Sequence, residues 1–241
     1  MANLVKKFLT DFEDINDYYM FLVDKTKRRE YVGITNEWLI DNFYLLVEHK
    51  TNIVHDKKYI IRDLKKYNRI FYCLKEIVIR NNYNISFKIL VSELKEYQKR
   101  TKITFSYPEL VCVKNILLFL YTKRLSDLCK EEYHNLLNKE RVSKIIQSRE
   151  EKEIELSNFL DEDFSIREEA NYIFEINNQL KEIGAKSNRL FKELNELLEE
   201  KRISLKEIIN NEYQKSIDND ILISNIFGDL KDFFEFTEED L

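Results

Sequence analysis

The sequence predicts an all-α protein, arranged as an antiparallel multi-helix bundle or a stacked helical array. Apolar residues recur at helical spacings of three and four, and the 241 residues include only three glycines and one proline. A β-sandwich or barrel would need more Gly and Pro for its turns. Hydrophobic residues make up 44% of the chain, which is enough for a substantial core and argues against wholesale disorder.

Apolar stripes predict the first three helices over residues 2–27, about 35–55, and 57–80. The second of these helices contains the only tryptophan, Trp38, and Thr35 is expected to cap it. A fourth helix should follow Ser86, since its apolar residues again recur at helical spacing.

The clearest helix start is the segment SYPELV. Ser106 and Glu109 have the spacing of a capping box, and Pro108 lies in the first turn, where its missing N–H costs nothing. The helix that begins here is expected either to break near Asp127 or to continue to Leu137.

The segment 139–157 is dominated by charge and is the best candidate for an internal boundary. We therefore predict an N-terminal helical bundle (1–138) that holds the TNEWLIDNF helix, a charged helical connector (139–157) and a C-terminal helical segment (158–241). The tail KDFFEFTEEDL suggests that this last segment is cut short relative to a larger protein.

Further capping boxes are expected at Ser165 with Glu168 and at Ser204 with Glu207. Gly184 should end the helix that precedes it, because glycine readily adopts the left-handed conformation found there.

Patterns that carry catalytic chemistry are missing. Isolated glycines exclude a phosphate-binding loop, the histidines lack metal-ligand spacing, and two D-x-D triplets are best explained as acids that favour helix starts. The cysteines fit reduced core thiols. We expect no catalytic, cofactor-binding or metal-binding residue. The residues weighed are Gly33, Gly184, Gly228, His49, His55, His134, Asp161, Asp163, Asp218, Asp220, Cys73, Cys112 and Cys129.

Charge and hydropathy argue against nucleic-acid binding, secretion and a transmembrane segment. The net charge is -5, so no nucleic acid is expected as a partner. The N-terminus lacks the apolar core of a secretory signal. The most apolar run, Leu110 to Tyr121, falls short of the ~20 residues that a membrane helix needs. We expect a cytoplasmic protein with no transmembrane segment.

Several short motifs occur in a fixed order: TNEWLIDNFYLLVEH, YIIRDLKKY, ITFSYPELVCVKNILLFLYTKRL, then Glu212 and Gln214, then Ser224 and Asn225, and finally DFFE at 232–235. In this order they resemble the N-terminal region of the cyclic β-1,2-glucan synthases, large bacterial membrane proteins. The second motif lacks the proline of the family pattern. The spacing before DFFE is shorter than in the family, and a family tryptophan is missing there.

In that family the chemistry belongs to a membrane-embedded transferase that uses UDP-glucose and to a phosphorylase-like domain, and neither part is present in this chain. The resemblance therefore implies a non-catalytic accessory or N-terminal domain that scaffolds or regulates glucan synthesis. Its expected partner is the rest of a membrane glycosyltransferase, through which it would also be held at the membrane. The candidate interface residues are Glu37, Trp38, Asp41, Asn42, Phe43, Ser224, Asn225, Phe233 and Phe234.

Two alternatives remain open. A module that binds glucan or a nucleotide sugar would need exposed aromatics in a groove, such as Trp38 or Tyr44. A free-standing helical protein-interaction domain would need only a self-contained core. Within the TNEWLIDNF helix, Asp41 and Asn42 either hydrogen-bond to another helix or face water.

Overall fold

The computed structural model describes residues 2–30, 32–66, 68–147, 155, 156, 159 and 170–235. These residues are mostly helical and none of them lies in a β-strand, so the all-α prediction is confirmed. The helices of the described part are α1 (Ala2–Lys27), α2 (Ile34–Lys66), α3 (Asn68–Arg80), α4 (Phe87–Thr101), α5 (Tyr107–Leu110), α6 (Val113–Gln147), α7 (Ala170–Ile183), α8 (Asn188–Glu200) and α9 (Leu205–Glu235). A 3-10 turn at Gly184–Ser187 joins α7 to α8.

The chain divides into two compact units. The first comprises Met1–Lys130 with Asn219–Leu241, and the second comprises Glu131–Asp218. Both α6 and α9 contribute residues to each unit. The division predicted from charge (1–138, 139–157 and 158–241) falls at other positions and stays a prediction, because most of 148–169 lies outside the described residues.

In the first unit, α1 and α2 form an antiparallel hairpin. Tyr18 near the end of α1 contacts Asn36 at the start of α2, and Phe12, earlier in α1, packs on Phe43, further along α2. This order of contacts means that the two helices run in opposite directions. One stripe of α1 is buried, as its spacing predicts, through Val5, Phe8, Phe12, Ile15, Tyr18 and Leu22.

Two features of α2 differ from the sequence-based expectation. The helix continues to Lys66 instead of ending near residue 55, and no Gly or Pro interrupts it. Thr35 is not the cap, because it lies inside the helix. Gly33, at φ +86°, turns the chain there, and its carbonyl accepts the N–H of Glu37 at 3.1 Å.

The capping box predicted in SYPELV is present and has an additional partner. Glu109 is buried and accepts hydrogen bonds from the Ser106 N–H and hydroxyl, both at 2.8 Å. Arg69 of α3 also donates to this carboxylate, and its guanidinium reaches the Thr104 carbonyl at 3.0 Å. Chiefly through the Arg69 hydrogen bond, the pKa of Glu109 falls to about 2. A charged group can therefore be buried at this helix start.

The SYPELV helix is shorter than expected, since α5 ends after one turn and α6 begins at Val113. From there α6 runs unbroken to Gln147, so the break considered near Asp127 does not occur. Lys123 and Asp127, one turn apart, form an ion pair across that position.

The second unit has its own apolar core, drawn from α6, α7, α8 and α9 and from Phe159, which lies between α6 and α7 in the chain. Its buried members are Val142, Phe159, Tyr172, Ile173, Ile176, Leu180, Leu190, Leu194, Leu198 and Ile208. Gly184 follows α7 at φ +75°, as predicted. Of the capping box predicted at Ser204 and Glu207, the structure shows one half, in which the Ser204 hydroxyl accepts the N–H of Glu207 at 3.3 Å. The box at Ser165 and Glu168 lies outside the described residues.

Candidate functional site

The first turns of α2 carry most of the candidate interface residues, and the structure divides them between surface and core. Glu37, Trp38 and Asp41 are exposed, and 45% of the Trp38 surface is accessible. Leu39 and Phe43 are buried. The motif therefore anchors α2 with one face and presents a large aromatic residue to solvent with another.

Phe43 is the centre of the anchoring face. Its ring stacks on Tyr19 of α1, with centroids 3.9 Å apart and planes 8° from parallel. It also contacts Phe12, at 5.8 Å between centroids. Lys50, two turns along α2, places its ammonium 4.4 Å from the centre of the Phe12 ring. Phe43 is thus a core residue of the α1–α2 hairpin.

Asn36 also fixes α2 to α1, a role that was not predicted from the sequence. It is buried, its Oδ1 accepts the Tyr18 hydroxyl at 2.7 Å, and its Nδ2 donates to the Val32 carbonyl at 2.6 Å. The available signal was its position three and seven residues before Leu39 and Phe43, which places it on the same buried stripe. A polar residue on such a stripe needs partners, and Asn36 has them.

Asp41 and Asn42 do not hold α2 against a neighbour. Asp41 is exposed, and Asn42 donates from Nδ2 to the Trp38 carbonyl of its own helix at 2.8 Å. Of the two alternatives for this pair, the geometry favours the one in which these residues face water.

Replacing Asp41 with leucine should therefore change the free energy of unfolding by less than ~0.5 kcal/mol, because an exposed side chain without a protein partner contributes little. Urea unfolding followed by Trp38 fluorescence would measure it. A loss well above ~1 kcal/mol would contradict the surface position and indicate an internal partner.

The C-terminal candidates lie on α9. Ser224 is exposed and Asn225 is half-buried, whereas their neighbours Ile223 and Ile226 are buried. Phe233 and Phe234 fall in the last turn of α9, and their side chains lie outside the described part of the chain. Within that part, no hydrogen bond or ion pair joins Ser224 or Asn225 to the Trp38 end of α2.

The buried carboxylate of α9 belongs to Asp229, which was not predicted from the sequence. This buried carboxylate accepts the Ile85 N–H at 2.7 Å and the Tyr121 hydroxyl at 2.5 Å. Burial raises the pKa of Asp229, and burial together with the nearby carboxylate raises the pKa of Tyr121. Asp229 thereby ties α9 to α6 and to the loop before α4. Asp229 lies on the same buried stripe as Leu222 and Ile226, and this position in the sequence could have indicated that it is buried.

His49 is a second buried polar residue on α2. Burial, assisted by the charge of Lys114 on α6, lowers the pKa of the imidazole to about 3. The histidine is therefore neutral in the folded chain at every pH near neutrality.

This pKa predicts a loss of stability in mild acid. Between pH 6.5 and about 3 the unfolded chain binds a proton at His49 and the folded chain does not, so stability falls as pH falls. Lowering the pH from 7 to 5 should cost about 2 kcal/mol from this residue. The measurement is urea unfolding at both pH values for the natural chain and for His49→Leu, in which that part of the loss should vanish. His55→Leu is the matched control, since the His55 side chain is 86% exposed. An unchanged pH dependence in His49→Leu would contradict the assignment.

A stripe of mostly apolar residues runs along α2. Its members are Ile40, Tyr44, Val47, Thr51 and Val54, and we call them the α2 outer face. Ile40 is half-buried, the other four are exposed, and Thr51 is the polar member. They recur at alternating spacings of four and three, the pattern of a helix that packs on another helix. Tyr44 is 61% exposed and Val54 is 48% exposed. Contiguous exposed apolar side chains of this kind are typical of protein-binding surfaces.

The structure also bears on metal and thiol chemistry. No group of three or more His, Cys, Asp or Glu side chains is placed to hold a metal ion in the part of the chain that the structure describes. All three cysteines are buried thiols, and burial raises the pKa of Cys73 to about 12. None of the described helices is both long and apolar enough to span a bilayer.

We compared the chain with family models, characterised proteins and solved structures. None of the three comparisons gave a match. The features that bear on function are the surface of α2, the buried polar groups and the order of the motifs.

Proposed function

We propose that this chain is a non-catalytic helical accessory domain of a glucan-synthesising membrane glycosyltransferase of the cyclic β-1,2-glucan synthase type. It would act by binding other parts of that enzyme in the cytoplasm and thereby scaffolding or regulating synthesis from UDP-glucose. The motif order from Thr35 to Glu235 supports the choice of partner, and the α2 outer face supports the mode of action.

The observation that carries the binding role is the exposure of large apolar side chains on a helix that is otherwise well anchored. Asn36 and Phe43 fix the inner side of α2 to α1. Tyr44 and Val47, which directly follow that anchor, are 61% and 42% exposed. A rigid helix with an accessible apolar stripe can dock another helix without first reorganising, so little binding energy is lost to ordering it.

The test is co-purification of the tagged chain from detergent-solubilised extract of its own cells, with partners identified by mass spectrometry. We expect a large membrane glycosyltransferase to be recovered with the natural chain. The double variant Tyr44→Asp/Val47→Asp should lose it, because two carboxylates would be placed in the apolar contact.

The matched control is Tyr72→Asp on α3. Its ring is 64% exposed but lies outside the α2 outer face, so this variant should retain the partner. Circular dichroism and thermal unfolding check that all variants fold. If the natural chain folds and recovers no glycosyltransferase, the proposed partnership is wrong. If the double variant recovers as much as the natural chain, a different surface makes the contact.

A glucan-binding platform made of Trp38 and Tyr44 together is less well supported. Six residues apart on an α-helix, these side chains point about 120° away from each other, so they cannot form one flat surface. Titration with β-1,2-glucan while monitoring Trp38 fluorescence would test the remaining possibility that Trp38 alone binds sugar. A free-standing interaction domain would instead recover some other protein through the same outer face.

A further inference from the structure

A cleft lies between α1, α3 and α6, entirely within the first unit. Its volume is about 260 Å3, just below the ~300–1,000 Å3 of sites that bind drug-sized ligands. Most of its wall is apolar, and four of the side chains that form it are aromatic: Phe8, Phe71, Tyr83 and Phe119. Phe71 and Tyr83 are only half-buried, so ring surface remains accessible. The cleft is of a size to hold a small molecule.

One carboxylate also lines the cleft. Asp11 of α1 is only 5% exposed, and Lys123 Nζ lies 4.0 Å from its Oδ1. Within the described residues, no donor hydrogen-bonds to the Asp11 oxygens. Burial raises the pKa of Asp11, and the charges of Lys123, Lys7 and Lys130 offset that rise only in part. The carboxylate oxygens can accept hydrogen bonds from the hydroxyl groups of a ligand in the cleft.

Three lysines also line the cleft. Lys7, Lys75 and Lys123 line it, one from each of the three helices. Lys123 is paired with Asp127, whereas Lys7 and Lys75 are exposed and form no ion pair with any residue that the structure describes. With Lys123 paired to Asp127, the ammonium groups of Lys7 and Lys75 outnumber the Asp11 carboxylate by one charge. This excess favours an anionic ligand, and exposed lysines bind phosphate as point charges.

We propose that this cleft binds a small phosphorylated sugar, with sugar hydroxyls donating to Asp11 and the phosphate held by Lys7 and Lys75. An apolar ligand would bury Asp11 further without giving it a donor. A cation would be repelled by the lysines, and an uncharged sugar would make no use of them. The chemical class follows from the cleft, and only the choice of glucose as the test sugar rests on the proposed function.

Isothermal titration calorimetry of the full chain with glucose 1-phosphate, UDP-glucose and inorganic phosphate tests the proposal. Glucose 1-phosphate should bind more tightly than inorganic phosphate. Asp11→Asn should weaken the sugar phosphate at least tenfold and leave inorganic phosphate unchanged. Lys75→Ala should weaken both ligands, and Lys95→Ala, an exposed lysine of α4 outside the cleft, should weaken neither. Thermal unfolding of each variant confirms that it folds.

The UDP-glucose arm identifies the source of the phosphorylated sugar. Tighter, Asp11-dependent binding of UDP-glucose assigns the site to a nucleotide sugar, and binding no tighter than glucose 1-phosphate assigns it to a free sugar phosphate. The proposal is overturned if neither glucose 1-phosphate nor UDP-glucose binds at millimolar concentration. It is also overturned if Asp11→Asn leaves the affinity for the sugar phosphate unchanged. The titration contains no transferase, so a negative titration does not contradict the proposed partnership. A failed co-purification likewise does not contradict sugar-phosphate binding in the cleft.

Discussion

Replacing Asp229 with alanine should lower the free energy of unfolding by about 2–4 kcal/mol. The carboxylate is 6% exposed and accepts both the Ile85 N–H and the Tyr121 hydroxyl, and Tyr121 is fully buried. Removing the acceptor deletes the buried hydrogen bonds from the Ile85 N–H and the Tyr121 hydroxyl, and a buried donor that loses its acceptor costs ~1–3 kcal/mol. The measurement is urea unfolding of the natural chain and the variant at pH 7.

Two variants make this prediction specific. Asp229→Asn keeps an oxygen that can accept both bonds, so it should cost clearly less than the alanine change. Asp232→Ala, one turn along α9, removes an exposed carboxylate and should shift the unfolding energy by less than ~0.5 kcal/mol. An alanine variant at 229 as stable as the natural chain would mean that water, and not the Asp229 carboxylate, satisfies Ile85 and Tyr121.

Replacing Phe43 with alanine should cost about 3–4 kcal/mol, in the range for a buried phenylalanine. The ring is 7% exposed, stacks closely on Tyr19 and contacts Phe12. Its removal leaves a cavity between α1 and α2 and eliminates the aromatic contacts in addition to the buried area. Urea unfolding, with Trp38 of the same helix as the fluorescent probe, would measure the loss.

Tyr44→Ala is the matched control for Phe43→Ala. It deletes an aromatic ring at the neighbouring position, but that ring is 61% exposed, so the unfolding energy should change by less than ~0.5 kcal/mol. In the co-purification assay we expect Tyr44→Ala to reduce recovery of the partner, although it leaves the stability nearly unchanged. If Phe43→Ala cost less than ~1 kcal/mol, Phe43 would not be a core residue of the hairpin.

The periodic features of the sequence were the predictable ones. The stripes of α1, α7 and α8 and the special φ of Gly184 follow from local spacing and local stereochemistry. Helix limits were predicted less well, since α2 passes residue 55 and α6 passes Leu137. Neither stretch contains a Gly or Pro, so nothing there prevents the backbone from continuing as a helix.

The polar anchors could not be predicted with their partners. Arg69 is 40 residues from Glu109, and Asp229 is 144 residues from Ile85. A buried polar residue can be suspected from its place on an apolar stripe, as for Asn36 and Asp229, but its donor comes from a distant segment. The same holds for the cleft, because Asp11 and Lys75 become neighbours of one cavity only through the packing of α1 against α3 and α6.

The division of the chain also sets the order in which the units can be completed during synthesis. The second unit is one continuous segment, Glu131–Asp218, whereas the first needs residues of α9 that are made after it. Ile85 must wait for 144 more residues before its acceptor Asp229 exists, roughly 7–30 s of translation. The first unit, whose N-terminal part leaves the ribosome first, is therefore the last to complete its fold. Until α9 is made, the donors and apolar side chains that it will bury remain accessible to chaperones.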